Sequence, residues 1–545
     1  MPDSKSARGY PDLHDHLEAL DKAGLLVTID KPVNKDTEMH PLVRWQFQGG
    51  IAEKDRKAFL FTNITDAKGR KYDMPVVIGA LAANAEVYSI GMGCPVEEIG
   101  DNWTRAIANP IDPVVVDTAP CQDVIIEGAD LVGDGHGVDG LPIPISTPGF
   151  DCAPYFSATN FITKDPENGI QNMGTYRVGL KAPDRLAVRM VARPGGAGGY
   201  LHWLKYKERG EPMPCALVVG CPPSVNFMSP QKLQVNLDEL AVAGGLVGEP
   251  IRQVQAHSVD LHIPAESELV IEGFIDTEYL EPEGPFGESH GHIALEDYNM
   301  IMRITAITHR KNAVMPSIIS QVTPSESSVI KRVAYEPLWT KHLKSDLGIQ
   351  GVQRVVMHEP LTNLRTFVFI QFDRGTTRTE IWRGLYGAAS LMPQVGKFCV
   401  AINDDIDPDS PDAVLWALSY RCNPIEDTHI MPYQVRGHGP KAEINGEPSS
   451  MLIDATMIGG MPPIALPKKE YMERAKDLWN DLGLPPLTPQ APWYGYSLGN
   501  WSDKWEKAAK RAVAGDYQEN GRISEQRQRK DLHPETPVDQ APDEE

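Results

Sequence analysis

The stretch PEGPFGESHGH, residues 282–292, sets Glu283 and Glu288 on either side of Gly-Pro-Phe-Gly and follows them with His290 and His292. Prolines 282 and 285 and glycines 284 and 287 fix the backbone between the acids. Two carboxylates on one stiff loop repel, and burial raises at least one pKa above the usual glutamate value of about 4.3. One acid would then carry a proton at neutral pH while a nearby arginine keeps its partner ionised, an acid–base arrangement. The plain alternative is a tight exposed turn with solvated acids, and composition alone leaves both open.

Other stretches carry weaker signals. His290 and His292 would share a face on a strand and could bind a metal. His14 and His16 repeat that spacing on an expected helix, so surface or packing histidines are the simpler reading. QNMGTYRVGL places Asn172 five residues before Arg177, at the start of a strand. LDELAVAGGLVGEP puts Glu239 at the head of an apolar helix, where the dipole favours a carboxylate. GHGVDG at 135–140 matches G-x-G-x-x-G, but the prolines of LPIPISTPG exclude the helix that a dinucleotide fingerprint needs. PGGAGGY at 194–200 lacks the Gly-Lys-Ser/Thr of a Walker loop, although glycines after a strand can let backbone N–H groups approach a phosphate.

The elements that must position these residues fall into three regions. DLHDHLEALDKAGLLVTID reads as an amphipathic helix, a stop at Gly24 and a strand, and MPVVIGALAAN as a buried strand, giving an N-terminal α/β domain over 1–120. Short strands then dominate (DVIIEGADL, YFSATNFITKD, YRVGLKAPDRLAVRMVARP, CALVVGCPP, ELVIEGFID and NMIMRITAITHR), with TKDPENG as a hairpin turn. They predict a β-rich barrel or sandwich over 121–322. TPSESSVIKRVAYEPLWTKHLKSD reads as a connecting helix over 323–346, with Thr323 as N-cap, Pro324 as first helical residue and Glu326 as capping-box partner. Strands and helices alternate again over 347–485, and 486–545 forms an extension that ends, after about residue 515, in a polar, Pro-rich flexible tail.

A chain of 545 residues is too long for one core. Hydrophobic content of 41% and charged content of 23% describe an ordinary globular protein. The net charge of -22 argues against general binding to nucleic acid or anionic membrane. Seven scattered cysteines without a CxxC favour a reducing, cytoplasmic setting over a disulfide framework. The N-terminus has no signal-peptide core, and no apolar run approaches a membrane span.

Together, PEGPFGESHGH, NMGTYR, DELAVAGGL, DDIDPDSPDAVLWALSYR and LIDAT resemble the UbiD family of reversible decarboxylases, in which they occur together. The opening DLHDHLEALDKAGLLVTID resembles the family's start, and the likeness spans about residues 10 to 475. It implies an N-terminal α/β domain, a central split β-barrel that binds prenylated FMN, and a C-terminal α/β domain used in homo-oligomerisation, from dimer to hexamer. It also implies a flavin prenyltransferase as supplier of the cofactor.

Carried over by residue, the resemblance makes Asn172 and Glu239 ligands to a divalent metal, Mn²⁺ first, that bridges protein and flavin phosphate with K⁺ close by. Hard oxygen ligands suit such an ion. Arg177, Glu283 and Glu288 match a Glu-Arg-Glu catalytic network, with Glu288 as proton donor. Thr175, Tyr176, Arg177, Arg189, Met190 and Val191 match flavin contacts, and Gly195 falls where the chain passes the phosphate. Two departures stand out. ARPGGAGG offers no histidine near 195 as a third metal ligand, and Ser449 and Ser450 stand where many members have a lysine.

The function this implies is reversible, non-oxidative decarboxylation of an aromatic or heteroaromatic acid. An aromatic acyl-CoA such as phthaloyl-CoA is the alternative substrate within the family. Two other classes remain to be weighed: a metal-dependent hydrolase using His290, His292 and the acids, and a non-catalytic scaffold whose acidic loop is an exposed turn.

Overall fold

The computed structural model describes residues 8–190, 197–231, 233, 237–358, 366–392, 396–432, 434, 448–457, 461–487, 501–529, 532–534 and 536–538. The chain divides into two units, Met1–Ala401 with Thr428–Ile453, and Ile402–Asp427 with Asp454–Glu545.

The first unit opens with α1 (Leu13–Lys22), capped by Asp12 through a reciprocal capping box with Asp15. Gly24, at φ 69°, turns the chain into β1 (Leu26–Ile29). Leu13, Leu17 and Leu20 recur at helical spacing and are buried. His16 is a packing histidine, with Nε2 2.7 Å from the Ala80 carbonyl, and His14 pairs with Glu268 at 3.0 Å. The helix α2 (Met39–Gln48) and strands β2 (Ala58–Phe61) and β3 (Val76–Ile78) follow, then α3 (Ala85–Met92) and α4 (Ile99–Ala108).

The centre is one curled sheet. Its strands are β4 (Val124–Glu127), β5 (Tyr155–Phe156), β6 (Thr159–Lys164), β7 (Gln171–Gly174), β8 (Arg177–Ala182) and β9 (Arg185–Arg189). After helix α5 (Gly198–Arg209) come β10 (Met213–Val219), helix α6 (Glu239–Val247), β11 (Leu269–Ile275), β12 (Glu281–Glu283) and β13 (Asp297–His309). The spatial order is β7-β6-β10-β11-β13-β9-β8-β5, and β12 and β4 also pair with the long β13. The α/β and half-barrel fold class expected from the sequence is what forms. The β6–β7 hairpin turns through Asp165–Ile170, the TKDPENG segment. β14 (Met315–Ser317) leaves the curled sheet and joins the N-terminal one, in the order β1-β2-β3-β14, so one apolar core runs through both.

Helix α7 covers Glu326–Lys341 and starts later than the sequence reading placed it. Ser325 is the N-cap, reciprocated by Ser328, and Thr323 and Pro324 lie before the helix. Glu326 is therefore the first helical residue, and its buried carboxylate accepts from Ile319 N at 2.7 Å. The helix packs with α8 (Arg378–Ser390) on β15 (Val352–Met357), β16 (Phe367–Phe372), β17 (Phe398–Asn403), β18 (Thr428–Met431) and β19 (Ser450–Asp454), a sheet ordered β15-β16-β17-β19-β18.

In the second unit, α9 (Pro411–Arg421) is capped by Ser410, and its buried Arg421 pairs with Asp405. Three further helices, α10 (Lys469–Asp481), α11 (Asp503–Val513) and α12 (Tyr517–Glu525), are polar and carry no buried side chain. The last lies where the sequence reading expected only tail. Its Asn520 donates to the Ala508 carbonyl at 2.8 Å, a tie between α11 and α12 that composition does not reveal. Among the described residues no helix is long and apolar enough to cross a membrane.

Candidate active site around Arg177

Arg177 opens β8 and lies directly across from Arg189, the last residue of β9. β9 pairs with β13, which pairs with β12, and there Glu283 lies opposite Asp297. Four neighbouring strand ends therefore bring residues 106 positions apart together. Arg177 grips Glu283 with two parallel hydrogen bonds, Nε to Oε1 at 3.0 Å and Nη2 to Oε2 at 2.8 Å. Its remaining nitrogen, Nη1, donates to Glu288 Oε2 at 2.6 Å. The guanidinium lies 5.0 Å from the centre of the Phe286 ring.

The backbone between the acids folds into one strand of a short pair. Gly284, at φ 101°, precedes a cis Pro285, and Phe286–Gly287 pairs antiparallel with Ile293–Ala294. The two acids end in different surroundings. Glu283 is 0% exposed, and both its oxygens are occupied: Tyr155 donates to Oε1 at 2.9 Å and Asn299 to Oε2 at 3.3 Å, besides the two bonds from Arg177. Four donors thus converge on the Glu283 carboxylate, two of them from one guanidinium. The Glu288 side chain is 12% exposed and meets the guanidinium through one nitrogen. Burial opposes the Arg177 charge, but Glu283 and Glu288 outweigh it and hold its pKa above the ordinary value. Arg189 stands 4.0 Å from Glu288 and 3.9 Å from Asp297; burial and the Arg177 charge lower its pKa.

A second group of expected residues lies next along the chain. Asn172 sits on β7, and its Nδ2 is 3.5 Å from the Tyr176 hydroxyl, which also accepts from Gly199 N at 3.2 Å. The backbone of Tyr176 is tied to Thr159. Thr175 donates to Ser229 Oγ at 3.0 Å. Glu239 follows the N-cap Asp238 of α6, and its Oε2 accepts from Met173 N at 3.2 Å. Burial pushes Glu239 up to about 7, against the pull of backbone N–H donors. Met190 is buried beside Gly199. Gly198 packs directly on Asn172: a Cβ there would lie 2.0 Å from Asn172 Oδ1 and would displace that amide. Val191 and Gly195 lie outside the described residues.

A carboxylate and an amide oxygen, beside a glycine-lined helix start, form a hard-oxygen set that fits a divalent cation holding a phosphate. The raised pKa of Glu239 marks a buried charge that a cation would relieve.

Among the described residues no histidine-based metal group forms. His290 and His292 lie in a turn rather than on a strand, with ring centres 6.0 Å apart. Among the described residues no three His, Cys, Asp or Glu side chains group to hold a metal. GHGVDG forms one short turn whose Asp139 pairs with Arg70, not a dinucleotide loop. Tyr155 and Asn299, which complete the shell of Glu283, escape the sequence reading. Their role arises from strand pairing, and the only local trace is Gly179, where a Cβ would lie 2.7 Å from the Tyr155 ring.

Comparison with known families agrees with this geometry. The chain matches the 3-octaprenyl-4-hydroxybenzoate carboxy-lyase N-terminal domain over residues 17–107, the Rift-related domain over 114–322 and the C-terminal domain over 328–455. It belongs to the UbiD family of carboxy-lyases. Solved structures similar to it include the UbiD-class enzyme HmfF from Pelotomaculum thermopropionicum in complex with FMN, at 26% identity and TM-score 0.74, covering 86% of this chain and 100% of that one. An evolved dimeric form of HmfF in complex with prFMN gives 26% identity and TM-score 0.71, covering 84% and 97%. The closed form of Sedimentibacter hydroxybenzoicus vanillic acid decarboxylase gives 25% identity and TM-score 0.70, covering 87% and 99%.

Proposed function

We propose that this chain is a reversible, non-oxidative decarboxylase of an aromatic or heteroaromatic acid that works with prenylated FMN, and that Glu288 is its proton donor. The observation that carries the assignment of roles is the asymmetry of the two acids on Arg177. Glu283 is saturated by four donors and anchors the arginine. Glu288 is the acid with an exposed edge.

The bound cofactor supplies an electron sink for the carbanion character that builds as CO₂ leaves. Glu288 gives its proton to the carbon that held the carboxylate, so a C–H bond replaces the C–C bond, and it regains a proton from solvent through its exposed edge. Arg177 holds Glu288 at a fixed distance and stabilises the carboxylate left after transfer. The stiff loop keeps the acid in range without reorganisation. Asn172 and Glu239 would hold a divalent ion, Mn²⁺ first, on the flavin phosphate, with K⁺ alongside. Thr175, Tyr176, Arg189, Met190, Val191 and Gly195 would contact the cofactor.

The test is production of the protein with and without a flavin prenyltransferase, followed by product analysis against a panel of aromatic acids. Activity confined to the co-expressed protein, with an altered flavin spectrum, supports the reading. Equal decarboxylation by flavin-free protein overturns it.

A further inference from the structure

The loop that carries Glu288 is gripped from behind by a short turn at residues 147–152, which belongs to none of the expected site motifs. The turn closes on itself, with Phe150 N and Asp151 N both donating to the Thr147 carbonyl at 3.0 Å. One oxygen of Asp151 accepts from Thr147 N at 2.7 Å and the other from Gly287 N at 2.7 Å. The next residue, Cys152, donates its N–H to the Pro285 carbonyl at 3.1 Å. The turn thus holds both neighbours of Phe286, whose ring lies under Arg177 and 4.2 Å from that of Tyr155.

The grip is close. A Cβ on Gly287 would lie 2.0 Å from Thr147 Oγ1 and 3.2 Å from Gln321 Cγ. Gln321 is itself buried and accepts from Arg44 on α2, so the support reaches back into the N-terminal layer. Burial raises the pKa of Asp151, opposed by the backbone N–H groups it accepts from. A half-buried carboxylate with one oxygen on a backbone N–H of its own turn and the other on a backbone N–H of the acid-bearing loop ties the two loops together.

We propose that Asp151 is a positioning residue for Glu288: through Gly287 N it sets where the loop, and so the proton donor one residue on, stands relative to Arg177. The proposal rests on the decarboxylase reading above for its kinetic consequence, but the clamp itself does not.

Two variants test it. Asp151→Asn keeps size and one acceptor while replacing the other with a donor, and Asp151→Ala removes both acceptors. In prenylated-FMN-loaded enzyme, kcat should fall about 10- to 100-fold, the scale on which small misplacements act. KM should stay within about threefold and cofactor content per chain should match wild type. In cofactor-free protein, amide exchange across residues 284–292 should quicken in both variants. Wild-type kcat with wild-type exchange in both variants overturns the proposal, as does a kcat loss that disappears after correction for folded, cofactor-loaded protein. If loaded wild-type enzyme decarboxylates nothing, the functional reading fails alone, and exchange decides the clamp: unchanged protection overturns it and faster exchange supports it.

Discussion

Arg177 and Glu288 meet through a single hydrogen bond, Nη1 to Oε2 at 2.6 Å, while the other two guanidinium nitrogens are committed to Glu283. One acid is therefore part of the arginine's mounting, and the other is held by a single guanidinium nitrogen. The other oxygen of Glu288, Oε1, accepts from Ser289 N at 2.7 Å, so the carboxyl is oriented by one side-chain and one backbone donor where Glu283 takes four side-chain donors.

Glu288→Gln keeps the size and one acceptor of the side chain and removes the acidic proton. Cofactor binding should survive. Turnover should fall about 100- to 10,000-fold, the usual contribution of general acid catalysis. Exchange of the product's ring hydrogen with D₂O should fall in parallel, since both directions share one transition state. Near-normal turnover and exchange would place the donor elsewhere.

Arg177→Lys keeps the charge and loses the fork. A lysine is a point donor and cannot reproduce two parallel bonds to Glu283. Glu283 would remain buried with Tyr155 and Asn299 as its donors. Unfolding of cofactor-free protein should become easier by about 1–3 kcal/mol, the cost of leaving a buried polar group partly unpaired. Turnover should fall at least as far as in Glu288→Gln. Denaturant titration and kinetics on the same preparation check both.

The loop and the ends of the network were readable in sequence, because stiffness and charge are local properties. Gly284, Pro285 and Gly287 announce a fixed backbone, and Glu239 before an apolar run announces a helix start. Which acid is saturated was not readable. Tyr155 lies 128 positions from Glu283 and reaches it only through strand pairing. The start of α7 differs for a local reason: Thr-Pro-Ser-Glu satisfies a capping box at Thr323, but Ser325 and Ser328 form a second one two residues on, and the helix starts there. The spacing of His290 and His292 means a shared face only on a strand, and the segment is a turn, so the simpler reading of them as surface or packing histidines stands.

The second unit exposes large apolar side chains, among them Leu415, Tyr420, Ile425, Trp501 and Trp505. A homo-oligomer is expected, built through the region from about residue 345 onward. Light scattering of the full chain should give a mass above one protomer's, and Ile425→Glu with Trp505→Glu should lower it. A concentration-independent monomer in the wild type contradicts this.

Glu239 gives a pH-dependent test of the proposed metal site. Burial moves its pKa from an ordinary 4.5 to about 7 in the metal-free fold. A carboxyl whose folded pKa is raised stays protonated in the native state while the unfolded chain ionises. Its contribution therefore lowers stability as pH rises from about 4.5 to about 7, with no further change above. Metal binding reverses the preference, because the ligand is the carboxylate and the proton must leave. Affinity of cofactor-free protein for Mn²⁺ should therefore fall about tenfold per pH unit below pH 7 and level off above it. Glu239→Gln removes the proton and the negative charge, so its residual affinity should be weak and flat with pH over the same window. Asn172→Ala should weaken binding less, since a neutral amide contributes less charge, and should keep the slope. Calorimetric titration at pH 5.5, 6.5, 7.5 and 8.5 separates the cases. A wild-type affinity that is flat from the lowest of these to the highest would show that Glu239 is not the titrating ligand.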